Sequence, residues 1–144
     1  MEVKNIGGKV LKTVEGSSLV GADLSGSCLW KADLHGLRLW NVNLSGSNLW
    51  RADLCWASLW NANFSGSCLR DANLMGANLC GANLTRAYLS WANLRGVWLW
   101  DANLSGAWLS EADFRGADLR GTGLPPSALL ERGAVFDETT VFDK

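Results

Sequence analysis

The sequence predicts an all-β solenoid, in which short extended segments and turns alternate around one axis, and three observations carry that expectation. An apolar residue returns at every fifth position from Leu19 to Leu124, as Leu except at Phe64 and Phe114. A small residue, usually Ala, stands two places before it (Ala22, Ala32, Ala52, Ala62, Ala72), and Asp or Asn recurs directly before it (Asp23, Asp33, Asn43, Asp53, Asn63). Glycine recurs two places after it, at positions such as Gly21, Gly26, Gly36, Gly46 and Gly66, and glycine tolerates the positive φ that a tight turn asks for. A period of five suits neither regular element. On an α-helix each step would rotate the row by about 140°, so the leucines would wrap around every side. In a strand an odd step throws successive leucines onto opposite faces. A unit of extended segment plus turn can instead aim every Leu at a common axis.

The repeating unit, as in Ala22-Asp23-Leu24-Ser25-Gly26 or Ala82-Asn83-Leu84-Thr85-Arg86, resembles the A-[D/N]-L-x-x unit of the pentapeptide-repeat family, over about three-quarters of the chain. The resemblance implies a right-handed, four-sided parallel β-helix with one pentad per side and roughly 20 residues per coil; at that length this chain makes about five coils, followed by a short C-terminal helix read from its own residues. It also implies that the Leu centre and the small residue two before it point inward while the other three positions face out. Val42, Val97 and Leu37 replace the small residue, so slight local widening is expected there.

Taken in order, residues 1–16 lie outside the register and read as an N-terminal cap. Ile6, Val10, Leu11 and Val14 are expected to cover the first open coil, with Gly7-Gly8 as a turn, since a bare coil end would present unpaired backbone groups. Residues 17–124 are the repeat shaft. Its central row is the core, because burying one Leu or Phe contributes about 1.5–3 kcal/mol. Residues 125–144 read as a C-terminal helical cap and tail. Pro125-Pro126 suits a helix start and Gly133 its end near Arg132. Ala134-Val135-Phe136 and Thr140-Val141-Phe142 could cover the last coil, or could form a dimer contact as C-terminal ends do in some members of the resembled family.

Laid onto four sides, the outward positions differ. Two opposite sides, centred on Leu24 and on Leu34, keep Asp or Asn before every centre, where such side chains bond to backbone in neighbouring turns and coils. The other two carry the aromatics: Trp40, Trp60, Trp98 and Trp100 on one, and Trp30, Trp50, Trp108 and Tyr88 on its opposite, with Trp91 near a corner. Trp56 alone falls outside both. Trp30 is expected to stack under Trp50 and Trp40 under Trp60. Such rings can brace one coil against the next, or form a flat, weakly charged contact surface, and the two roles are compatible. Trp30, Trp40, Trp50, Trp60, Trp98, Trp100 and Trp108 are therefore the candidate binding surface.

Charge and chemistry narrow the function. Lys plus Arg (13) and Asp plus Glu (14) nearly cancel, so no field steers the protein toward nucleic acid. No apolar run is long enough for a membrane span, and Met1 to Lys12 lacks the apolar stretch of a signal peptide. The four cysteines (Cys28, Cys55, Cys68, Cys80) form no Cys-x-x-Cys pair and His35 is the only histidine, which suggests reduced thiols in a cytoplasm. Cys28 and Cys68 are two coils apart, roughly 9–10 Å, too far for a disulfide or shared zinc. No catalytic residue, metal site or cofactor is expected, because the surface repeats its groups rather than converging them. The expectation is a non-catalytic scaffold whose partner is protein or a second copy. Members of the resembled family that mimic DNA and bind type II topoisomerase do so with a strongly acidic shaft. Here Lys31, Arg38, Arg51, Arg70, Arg86, Arg95, Arg115 and Arg120 interrupt it. A carbohydrate or other small ligand on the Trp strips is the third alternative.

Overall fold

A computed structural model describes residues 1–144. The chain climbs in coils of 20 residues: Asp23 bridges Asn43, Cys28 bridges Asn48, Asp33 bridges Asp53 and Arg38 bridges Ser58, all in parallel, and the columns continue to Asp118. Four bridges per coil define four sides. Each side meets its neighbour at single bridge residues and not as a continuous strand, because the chain turns again within five residues. The sides of the expected β-helix are thus bridges joined by turns; the strands are confined to β1 (Glu2–Lys4) and β2 (Val10–Thr13).

The pentad closes its own hydrogen-bond account. The Leu24 amide donates up to Asn43 O at 2.7 Å, Gly26 to Ser45 O at 2.9 Å, and Asn43 down to Ala22 O at 2.9 Å. The Ser27 amide closes the turn on Leu24 O at 3.2 Å. The fifth donor, Ser25 N–H, has no carbonyl to reach and bonds Asp23 Oδ1 at 3.0 Å. Buried or crowded backbone donors need partners, so on the two Asx sides the Asp or Asn before the centre supplies the one that the coil geometry omits, as at Asp23, Asn43, Asp53 and Asn63. Of 91 backbone–backbone bonds only 5 lie within regular strands and helix; the shaft is held by the rest.

Inside, Leu24 through Leu119, with Phe64 and Phe114, are buried with the alanines two before them. Leu37, Val42 and Val97 close their turns at 3.3, 3.2 and 3.2 Å, against 2.9–3.1 Å at the alanines, but Ser27 and Ser47 in the same place also close theirs at 3.2 Å. Ser47 and Ser67 sit in the same inward place, each donating its hydroxyl to the carbonyl three before it at 2.6 and 2.7 Å.

Both ends are covered, by residues that only partly coincide with those expected. At the N-terminal end β1 and β2 form an antiparallel hairpin, docked where Asp33 N–H meets Lys4 O and Ile6 N–H meets Lys31 O. Its cover consists of Val3, buried, with Leu11 and Val14 against the core. Ile6 and Val10, expected inside, are exposed: Val10 pairs with the outward Lys4 across a register shift, and Ile6 lies in the turn beyond β1. At the other end α1 (Pro126–Glu131) buries Leu129, and Gly133 follows at φ 71°. Val135 and Val141 bridge Asp113 and Asp118 through their backbones. Their side chains therefore face outward, while Ala134, Phe136 and Phe142 lie on the core, the two rings meeting edge to face at 5.6 Å. No helix is long and apolar enough to cross a membrane.

Candidate functional site

The Asx sides are internally satisfied. Besides capping the amide two residues on, Asn43 Nδ2 donates to Asp23 Oδ1 at 3.0 Å and Asn63 Nδ2 to Asn43 Oδ1 at 3.2 Å. On the opposite side Asn73 Nδ2 donates to Asp53 Oδ1 and Asn93 Nδ2 to Asn73 Oδ1, both at 3.1 Å. These ladders spend the polar groups on the coil itself. His35 is the exception: its ring Nδ1 pairs with Asp33 Oδ1 at 2.8 Å, a contact the sequence reading did not draw, and this bond raises its pKa above the ordinary histidine value. Cys55, one coil on, has its thiol pushed up by burial. A nucleophilic cysteine draws on the opposite shift. All four cysteines are unpaired.

The tryptophan sides lack the Asx cap at most positions. Cys28, Arg38, Ser58 and Trp98 stand where Asx would, and the amides of Trp30, Trp40, Trp60 and Trp100 have no protein acceptor. Trp50, in the same place of its pentad, has an Asx acceptor, Asn48 Oδ1 at 3.1 Å. The carbonyls of Trp40, Trp50, Trp60 and Trp100 still accept from the coil below.

The seven candidate residues fall into two groups. Trp30, Trp40, Trp50 and Trp60, in the N-terminal half, are half-buried. Trp40 and Trp60 stack across adjacent coils, with centroids 5.1 Å apart and planes 21° apart. The expected Trp30–Trp50 stack does not form. Trp50 Nε1 donates to Asp71 Oδ2 in the next coil at 3.0 Å, which draws its ring upward. Each ring takes a cation instead: Lys31 lies 5.2 Å over Trp30 and Arg51 lies 4.6 Å over Trp50. Trp98, Trp100 and Trp108, in the C-terminal half, are exposed, at 55%, 46% and 62%. Trp98 and Trp100 flank Leu99 on one side, stacked at 6.4 Å. On the opposite side Tyr88 stacks on Trp108 at 6.3 Å, with exposed Trp91 at the corner.

Around Trp100 the electrostatics are organised. Arg120 lies 5.0 Å over the ring and pairs with Asp118 at 2.7 Å. The Arg120 guanidinium, then the Trp100 side chain, lowers the Asp118 carboxyl to about 2. Asp113 is lowered in the same way by Arg115. These pairs neutralise two of the shaft's basic residues in place.

Comparison with known proteins agrees with this geometry. Pentapeptide repeats, in 8 copies, are matched across residues 17–49, 38–76, 72–101 and 99–124. The chain is similar to HetL of the cyanobacterium Nostoc sp. strain PCC 7120, described as involved in regulation of heterocyst differentiation. Identity is 42%, with a TM-score of 0.71, over 72% of this chain and 44% of that one. The matched region is thus less than half of HetL. It is also similar to alr5209 of Nostoc PCC 7120, at 32% identity and a TM-score of 0.50, over 80% of this chain and 84% of that one. No functionally curated protein matches. With the repeat matched over well more than half its length, the chain belongs to the pentapeptide-repeat family, whose members fold as right-handed quadrilateral β-helices.

Proposed function

We propose that the protein is a non-catalytic scaffold that binds a protein partner through the exposed aromatics of its C-terminal coils. One observation carries this reading: Trp98, Trp100, Trp108 and Tyr88 are each close to half exposed or more, whereas the four earlier tryptophans of the set are packed on neighbours. Exposed aromatic clusters on a rigid surface are characteristic of interaction hot spots. The shaft supplies rigidity and a fixed spacing, so the rings are presented at little conformational cost. A regulatory role described for HetL supports binding over catalysis. A DNA-mimic role receives no support from a net charge of −1. A cytoplasmic site is in keeping with four free thiols.

The test is affinity capture from the native organism with wild type, Trp98→Ser/Trp100→Ser and Tyr88→Ser/Trp108→Ser in parallel. A partner kept by wild type and one double variant, and lost by the other, supports the reading and identifies the side. A partner held equally by all three forms rules it out.

A second reading, carbohydrate binding, is favoured by one feature. Trp50 and Trp91 line a cleft of about 520 Å3 together with Asn48, Cys68, Arg70 and Asp71. Indole faces beside amide, guanidinium and carboxylate groups suit a pyranose ring, and isothermal titration with a glycan panel tests it.

A further inference from the structure

Trp56 stands apart from both tryptophan sides. It occupies the corner column Gly36, Trp56, Gly76, Gly96, Gly116, where every other member is glycine and every member has positive φ. Its φ is 58°, a conformation that bulky L-residues rarely adopt. It is also 66% exposed. Other corners of the shaft also hold non-glycine residues at positive φ, but in this column Trp56 alone does, and glycine would relieve its backbone.

The indole is laid flat along the shaft. A Cβ on Gly76, one coil on, would lie 2.4 Å from the Trp56 ring, so that glycine is the platform that lets the ring lie down. From there a groove of about 430 Å3 runs past Met75, Gly76, Arg95, Gly96 and Arg115 to Gly116, Asp137 and Thr139. Its head is apolar, made by Trp56 and Met75. Its middle carries Arg95 and Arg115, and the Asp137 carboxylate lies toward Arg115. Arg115 is engaged by Asp113 at 2.6 Å, whereas Arg95 makes no ion pair and no side-chain hydrogen bond and is exposed. Gly76 and Gly96 hold the floor low, at backbone level.

We propose that this groove is a docking site for an extended acidic–hydrophobic peptide segment of a partner protein, separate from the aromatic faces of the C-terminal coils. The occupant follows from complementarity: an apolar side chain fits between Trp56 and Met75, and a carboxylate meets the free Arg95 guanidinium. The spacing fits too. Coils rise by about 4.8 Å, so the three steps from Trp56 to Gly116 span roughly 14 Å, about four extended residues at ~3.4 Å each. Residues i and i+2 of such a segment share a face about 7 Å apart, which places the acid two residues after the apolar anchor.

The test uses acetyl-Phe-Gly-Glu-Gly-amide against the whole protein, followed by 15N NMR at the Trp56 indole and the Gly76, Arg95 and Gly96 amides. The expected result is saturable shifts confined to those groups, with a half-point at or below about 1 mM. The matched peptide with Lys in place of Glu is expected to bind about threefold to fivefold more weakly, as for an exposed ion pair. Trp56→Gly should abolish the shifts at Arg95 and Gly96 while leaving the melting temperature unchanged or raised, because glycine is the unstrained residue of that column. Arg95→Ser should remove the preference for Glu over Lys and keep the fold. No saturable shift up to about 5 mM, equal binding of both peptides to wild type, binding that survives Trp56→Gly, or a lowered melting temperature for Trp56→Gly would each overturn the proposal.

Discussion

Trp40 and Trp98 occupy the same side of the shaft, three coils apart, and their surroundings differ. Trp40 lies against Trp60 of the next coil at 5.1 Å and is half-buried. Trp98 has its stacking partner within its own coil, Trp100, and stays 55% exposed. The opposite side repeats the difference. Trp50 is anchored to Asp71 and covered by Arg51, while Trp108 leans on Tyr88 and remains 62% exposed. Trp40 and Trp60 are half-buried as they brace adjacent coils, whereas Tyr88 and Trp108, also stacked across adjacent coils, and Trp98 and Trp100, stacked within one, stay exposed. One residue type on one scaffold ends in two states of burial.

The sharpest way to break this comparison is to remove matching pairs. Trp40→Ser/Trp60→Ser should destabilise by about 2–4 kcal/mol, from lost burial and stacking, read as the midpoint shift in urea unfolding. Trp98→Ser/Trp100→Ser should stay within about 1 kcal/mol of wild type by the same measurement. Equal losses in the two variants would erase the distinction between bracing and exposed rings.

A smaller effect of opposite sign is expected from Trp98→Asn. That substitution restores the Asx place before Leu99 and gives the unpartnered Trp100 amide a side-chain acceptor, as Asn78 gives Cys80 at 3.0 Å. A gain of about 0.5–1 kcal/mol is expected, together with weakened partner binding. A loss of stability would show that Trp98 contributes packing that its exposure conceals. Such an exchange of stability for function is common at binding surfaces.

Acrylamide quenching separates the groups without any substitution. Trp56, Trp91, Trp98, Trp100 and Trp108 are exposed and the other four half-buried, so a Stern–Volmer plot should curve downward into an accessible and a protected fraction. A straight line would mean that all rings are equally open.

The smallest expected effect is in acid. Asp118 titrates at about 2 in the fold, below the unfolded carboxylate value near 3.9. Its depressed pKa therefore contributes stability above about pH 4, and that contribution fades as pH falls through about 2. Arg120 sits on Trp100 and holds Asp118, so the ring's surroundings should persist to about pH 2. An NMR titration of the Asp118 carboxyl with a midpoint near 4 would contradict the pairing.

Much of this was legible in the chain before any coordinates. The buried row, the inward alanines and the Asx caps follow from contacts one to three residues away, such as Ser25 N–H on Asp23, and a local contact leaves a local pattern. The corners were legible in part. Glycine marks the left-handed position, yet Lys31, Asn41, Arg51, Trp56 and Trp91 also adopt it, held there by the coil bonds on either side. The candidate surface could be placed on two sides but not divided between bracing and exposed rings.

By itself the sequence determined the period and the core, because those depend on which residue recurs every five, while the four-sided coil was what the resemblance of its repeating unit implied. The tertiary structure decided the fate of each ring and each end. Trp50 depends on Asp71, 21 residues on. Trp56 depends on Gly76, whose missing side chain makes room for the indole. Val3 covers the first coil in place of Ile6 because the hairpin register, not hydrophobicity, chooses the inward side. In a coil of 20 residues, a neighbour such as Asp71 or Gly76 stands a full turn away, and its identity carries no signature at the position it affects.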